Sequence, residues 1–257
     1  MCIISFHFQD HPHYQLIIAA NRDEFYERPT EEAHFWTDEP NVLAGRDLKQ
    51  MGTWLGITKE GRFAALTNYR DLKNEQPNKV SRGEIVRSFL TGQQHAQAFL
   101  HDLRNNKKNY NGFNVLVGTT DELYYYGNRQ ENIVKIDAGS HSISNHLLNT
   151  PWPKVAKARR NLREYVMNTE RVDVERLFEQ LNDHEHANDD LLPNTGVGLE
   201  LERELSPVFI KTDNYGTRSS TVILITHDNE VTFVERTYNS GTFKKENTFH
   251  FTIQKSR

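Results

Sequence analysis

The chain's only cysteine is its second residue, Cys2. A cysteine thiolate is a strong nucleophile, and one at a chain terminus can have a base within the same residue. Loss of Met1 would free the α-amino group of Cys2. With a pKa of about 8, that amine lies far closer to neutrality than a lysine and can act as a general base. Acyl transfer from an amide suits such a pair. A polar cluster, Asn21-Arg22-Asp23-Glu24, follows the apolar run from Leu16 to Ala20. Arg22 could lower the thiol pKa or orient a substrate anion, and Asp23 could hold the α-ammonium. Three more polar clusters end apolar runs: Thr67-Asn68-Tyr69-Arg70-Asp71, Ser144-Asn145-His146 and Tyr215-Gly216-Thr217-Arg218-Ser219-Ser220. The amides of Asn68 and Asn145 donate hydrogen bonds without titrating, which suits an oxyanion. Arg218 could bind a carboxylate at two points.

Each of these residues also has an ordinary structural reading. Cysteine is often a small buried apolar residue, so Cys2 could belong to a core strand. Arg22 and Glu24 could form surface ion pairs worth little. Asparagine is favoured in turns and caps. Only convergence of the clusters in space would favour chemistry over packing.

The positioning elements follow from the apolar pattern. CIISFHF and YQLIIAA flank the turn-like DHPH and read as a hairpin. The end of its second strand then lies near the start of its first, which brings Asn21 to Asp23 close to Cys2. GTWLGIT and RFAALTNY form a second pair around the turn Lys59 to Gly61. These runs are nearly continuous rather than alternating, as in a sheet covered on both faces. SRGEIVRSFLTG predicts a helix with a capping box from Ser81 to Glu84 and an end at Gly92. QHAQAFLHDLRNN has apolar residues at helical spacing. GFNVLVGT, ELYYYGN and ENIVKID read as strands. TPWPKVAKARRNLREYVMN reads as a helix opened by Thr150 or Pro151, and DVERLFEQLND as a shorter one. Residues 182–196 read as a long surface loop. SSTVILITH, EVTFVERTY and GTFKKENTFHFTI return to strands. The pattern predicts an α+β layered domain over residues 1–257 whose sheets mix N- and C-terminal strands.

Other chemistries find less support. His11 and His13, or Asp183, His184, Glu185 and His186, could hold a metal loosely, but neither group has helical spacing or a fixed third ligand, and a solvated loop is the simpler reading. Trp36, Trp54 and Trp152 read as packing residues. No glycine-rich phosphate loop follows a strand, so no nucleotide cofactor is suggested. The net charge of -4 gives no reason to expect nucleic acid. No apolar run approaches the ~20 residues of a membrane helix, and no secretory signal is apparent. A lone cysteine fits a reducing cytoplasm.

The motifs MCI, AANRDEFYERP, GTWLGI, AALTNYRD, SRGEIV, SN-x4-TPWPK and YGTRSST together resemble the NRDE-motif family, whose eukaryotic members are called transport and Golgi organization protein 2. The resemblance implies a four-layer αββα sandwich of the N-terminal nucleophile hydrolase kind: two stacked antiparallel sheets flanked by helices. A more distant similarity, to choloylglycine hydrolases and penicillin V acylases, implies amide cleavage by a terminal cysteine. Carried over, it makes Cys2 nucleophile and base, Arg22 and Asp23 its partners, Asn68 and Asn145 the oxyanion candidates, and Arg218 a support for the thiolate. No cofactor would be required. The family also implies a part in haem trafficking or lipid handling. A non-enzymatic carrier of haem or a lipid-like ligand is therefore the alternative, and the oligomeric state is open.

Overall fold

The computed structural model describes residues 2–254 of the chain. The processing of Met1 concerns a residue outside that range. β1 (Cys2–Phe8) and β2 (Tyr14–Phe25) form the expected hairpin. β3 (Thr30–Phe35), β4 (Val42–Asp47), β5 (Leu55–Thr58) and β6 (Phe63–Asn68) follow, then α1 (Gly83–Thr91) and α2 (Ala96–Asn105). Next come β7 (Phe113–Gly118), β8 (Leu123–Gly127), β9 (Val134–Lys135) and β10 (Gly139–Ile143). Three helices, α3 (Pro153–Met167), α4 (Val174–Leu181) and α5 (Leu199–Glu204), precede β11 (Tyr215–Thr226), β12 (Glu230–Asn239) and β13 (Thr242–Thr252).

The strands make two antiparallel sheets. One has the order β10-β1-β2-β11-β12-β13, so N- and C-terminal strands do share it; the other runs β3-β4-β5-β6-β7-β8-β9. Side chains alternate along a strand, and both faces of the central strands are apolar. Ile4, Phe6, Leu16, Ile18 and Ile223 point into the layer between the sheets, where they meet Leu55, Phe63, Ala65 and Leu116. The residues one step along, Ile3, Ile17, Ala19 and Val222, instead pack on Leu162 and Val166 of α3 and Leu177 and Phe178 of α4. On the far side, Ala64, Val115 and Val117 pack against Val86, Phe89 and Leu100 of α1 and α2. Three apolar layers thus separate four structural ones, in the order αββα.

Some local expectations change. The capping box is not formed: Arg82 occupies the α1 N-cap without a side-chain cap, and the Glu84 carboxylate turns to Arg87 and Ser88. α3 begins at Pro153, two residues beyond the expected proline, because Trp152 is extended. β9 shortens to two residues. Within 182–196 the chain makes one turn of 3-10 helix, Asp189–Leu191. Among the described residues no helix is long and apolar enough to cross a membrane.

Candidate active site

Register decides which residues face Cys2. In the hairpin Cys2 pairs with Arg22, one step beyond Ile4 with Ala20. Arg22 therefore shares the inter-sheet face of Leu16, Ile18 and Ala20, the face that Cys2 also occupies. Asn21 points the other way, where its amide donates to the carbonyls of Leu181 and Val208 at 2.9 and 3.0 Å. Cys2 packs on the inter-sheet core and also lines a cavity of about 580 Å³ at its open end. Arg22, Asp23, Asn68 and Arg218 line the same cavity.

The electrostatics differ from expectation at the sulfur. Burial pushes the Cys2 thiol up, and the Asp23 carboxylate adds to that; the Asp23 N–H and Arg22 pull it down without prevailing. The resting group is a thiol, so a base must take its proton during attack. Asp23 accepts the Thr217 hydroxyl at 2.7 Å. Burial raises its carboxyl to about 6, opposed by Lys154, Thr217 and Arg22.

Arg218 is placed by a β-bulge. β11 pairs Thr217 with Asp23 and Ser219 with Arg22, leaving Arg218 as the extra residue. Its Nη1 donates to the carbonyls of Phe25, Tyr26 and Arg28 at 2.9, 3.0 and 3.1 Å. Arg218 thus clamps the β2–β3 turn.

The two asparagines have different positions. Asn68 ends β6 and lines the cavity; among the described residues its side-chain amide has no hydrogen-bond partner. Asn145 is fully buried, does not line the cavity, and donates to the Asn68 carbonyl at 2.8 Å. Its oxygen accepts the Ser144 hydroxyl, which also bonds the Cys2 carbonyl at 2.9 Å. Asn145 therefore ties the end of β6 to the loop after β10 and to the nucleophile's backbone.

Sequence reasoning missed several groups. Arg82 lines the cavity, and its charge reaches Cys2 and Glu24. Lys154 is buried at the start of α3, donates to the Leu205 carbonyl at 2.9 Å, and falls to about 8 because of burial, against the pull of Asp23. Glu235 of β12 is buried in the cavity wall; burial raises it to about 7. Its carboxylate accepts the Ala33 N–H at 2.6 Å. Arg82 and Lys154 stood inside quoted motifs, SRGEIV and TPWPK, whereas Glu235 had no signal beyond its place in a strand. The histidine and acid cluster at 183–186 forms no metal site, nor does any other group of three or more such residues among those described.

The pattern of the Transport and Golgi organisation 2 family matches residues 1–240. The chain belongs to this family. It is 36% identical over 276 residues to the mouse Transport and Golgi organization 2 homolog, covering 99% of this chain and 100% of that one. The human homolog is 35% identical with the same coverage. The Drosophila melanogaster protein of the family is 29% identical, with 92% of each chain covered. Among solved structures, a conjugated bile acid hydrolase mutant from Clostridium perfringens superposes with a TM-score of 0.54 at 8% identity, covering 99% of this chain and 98% of that one. The Caenorhabditis elegans N-acylethanolamine-hydrolyzing acid amidase ortholog gives 0.51 at 11% identity, covering 86% and 92%. At such identities the likeness concerns the fold: the αββα sandwich is that of N-terminal nucleophile hydrolases.

Proposed function

We propose that the protein is a cysteine amidohydrolase of the N-terminal nucleophile type, cleaving the C–N bond of a small non-peptide amide. The observation that carries this reading is the place of Cys2: opposite Arg22, at the wall of a cavity of about 580 Å³. After loss of Met1, the α-amine takes the thiol proton as sulfur attacks the amide carbon. The carbonyl oxygen becomes an oxyanion, and the Asn68 amide, on the cavity wall and without a side-chain partner among the described residues, is the donor we assign to it. Collapse breaks the C–N bond, and the α-ammonium returns its proton to the leaving amine. Water, deprotonated by the same amine, then releases the acyl group from the thioester. Asp23 holds the ammonium, and Asn145 positions Asn68.

The neighbours' printed names support amide chemistry, since one is a conjugated bile acid hydrolase and another an acid amidase. The haem reading finds a poorer fit. Cavity-lining residues include arginines, lysines and acids but no histidine, leaving Cys2 as the one soft ligand. A flat apolar ring would need more apolar wall. The reducing cytoplasm remains the setting that we propose for a lone thiol.

Intact mass and turnover test the proposal together. Active protein should lack Met1, and Cys2→Ala should lose turnover while keeping its fold. Full activity in protein that retains Met1 would sink it.

A further inference from the structure

Charge is unevenly matched around the cavity. Arg28 is neutralised by a two-point pair with Asp47 at 3.0 and 2.7 Å, and Arg46 by one with Asp38 at 2.5 and 2.7 Å. Lys244 pairs with Glu32 at 3.2 Å. Four further lining cations have only a single or distant carboxylate, or none among the described residues. The nearest carboxylate oxygen to Arg22 is on Glu24, 3.8 Å away, and that oxygen is shared with Arg28 at 3.7 Å. Lys79 donates to the Lys108 carbonyl. Arg82 reaches the Gly112 carbonyl at 3.0 Å and the partly exposed Glu75 at 3.3 Å. Arg218 is held by backbone carbonyls and has no carboxylate within ion-pair distance among the described residues.

Of the other acids on the same wall, Glu24 is shared by Arg22 and Arg28 and Glu31 is exposed beside His34 at 3.7 Å, which leaves Asp23 and Glu235. Both are buried: Glu235, pushed up to about 7, carries only part of its negative charge near pH 7, while Asp23, at about 6, stays mostly ionised but accepts the Thr217 hydroxyl at 2.7 Å and feels the charge of the terminal amine. Ser219, next to Arg218, pairs with Arg22 across β11 and β2, so the two arginines start from adjacent backbone and both line the cavity. Two guanidiniums so placed, with a third charge from Arg82 reaching the sulfur, favour an anion between them. The wall is also hydrophilic: its larger apolar side chains are Trp54, Leu66, Pro77, Val80 and Tyr238.

We propose that the cavity takes a small, hydrophilic amide that carries a carboxylate, held by Arg22, Arg82 and Arg218 with the amide carbon at Cys2. The choice of an amide rests on the hydrolase reading above; the anion site does not. A lipid-like amide is the substrate class that this wall disfavours.

Binding to the full-length Cys2→Ala protein tests the anion site apart from turnover. The probes are N-butyrylglycine, its neutral counterpart N-butyrylglycinamide, and N-lauroylethanolamine, each titrated calorimetrically at low and high salt. N-Butyrylglycine should bind about tenfold tighter than the glycinamide and weaken several-fold at high salt. Arg82→Gln should erase most of that preference with the melting temperature retained, and Arg22→Gln carries the same expectation; Arg218→Gln should lose the preference and also some stability, because it frees three carbonyls of the β2–β3 turn. Equal binding of both glycine probes, a preference for N-lauroylethanolamine, or no saturable binding of N-butyrylglycine would overturn the inference. Salt-sensitive, carboxylate-selective binding with no turnover of bound probe by the unmutated protein would leave the anion site standing and remove the hydrolase. Turnover of neutral amides without preference would do the reverse.

Discussion

Cys2 and Arg22 are direct partners across the antiparallel β1–β2 pair, and both face the layer between the sheets. A one-residue slip would turn Arg22 to the helix side and bring Asn21 or Asp23 opposite the sulfur. The register is fixed by apolar residues farther along: Ile4, Phe6 and Phe8 on one strand, Leu16, Ile18 and Ala20 on the other. The core below the site thus sets the geometry within it.

That partnership does not make the thiol acidic. Burial raises Cys2 more than Arg22 lowers it. Alkylation by iodoacetamide, followed against pH in the full-length chain, should show a midpoint above the ordinary thiol value of about 8.5. Arg22→Gln removes a cation and should move the midpoint higher still. A midpoint near neutrality would mean that the guanidinium outweighs burial.

Asn68 and Asn145 should fail in different ways. Asn68 lines the cavity and makes no side-chain bond to the described residues, so Asn68→Ala should leave stability nearly unchanged. If it serves the oxyanion, kcat should fall about 100- to 1000-fold with KM little altered. Asn145→Ala removes a buried amide from the Asn68 and Ser144 contacts and should cost about 1–3 kcal/mol of stability as well as activity. Denaturant melts and steady-state kinetics on both variants separate the roles. Equal stability losses would refute the division.

The opening hairpin was legible because its signals are local: two apolar runs, a polar turn, and a polar cluster where the second run ends. That sufficed to bring residues 21–23 to Cys2. It did not show which of the three faces the sulfur, which depends on register. Nor did it show the bulge at Arg218, which arises from pairing between strands almost two hundred residues apart. β3, β4 and β10 went unread because their sequences mix charge with short apolar stretches: TEEAHF, VLAGRD and GSHSI. α5, LELERE, is too short for a periodic signal. Glu235 was invisible for a plainer reason: nothing in EVTFVERTY marks one glutamate as buried.

α5 is anchored by a buried charge pair between Arg70 and Glu202, both under 9% exposed. Glu202 also accepts the N–H of Thr195, at 2.9 Å, and its hydroxyl. Arg70 lies two residues beyond Asn68, and its guanidinium stacks on Trp152 at 4.9 Å. Glu202→Ala takes the carboxylate from a buried guanidinium and should cost about 3–5 kcal/mol. Replacing both residues, as in Arg70→Met with Glu202→Leu, should cost less than the single change. A double variant less stable than Glu202→Ala would show that the pair contributes more than its desolvation costs.

Glu235 gives the stability curve a definite sign. Its carboxyl titrates near 7 in the folded chain, against an ordinary 4.5, chiefly because of burial. Between those values the folded state holds a proton that the unfolded state has released. Its contribution is therefore fully present below about 4.5, and stability is lost as pH rises toward about 7. Above that, the buried carboxylate costs about 3 kcal/mol at most. Glu235→Gln keeps an acceptor for the Ala33 N–H without the charge, so it should raise the melting temperature at pH 8 and leave it unchanged at pH 4. Asp23, displaced in the same direction to about 6, will still make the variant's stability fall with rising pH, but more shallowly. A Gln variant less stable than the parent at pH 8 would mean that Arg22, whose charge acts on Glu235, more than offsets the burial of its carboxylate. In that case Arg22→Gln should destabilise the protein at pH 8 and not at pH 4.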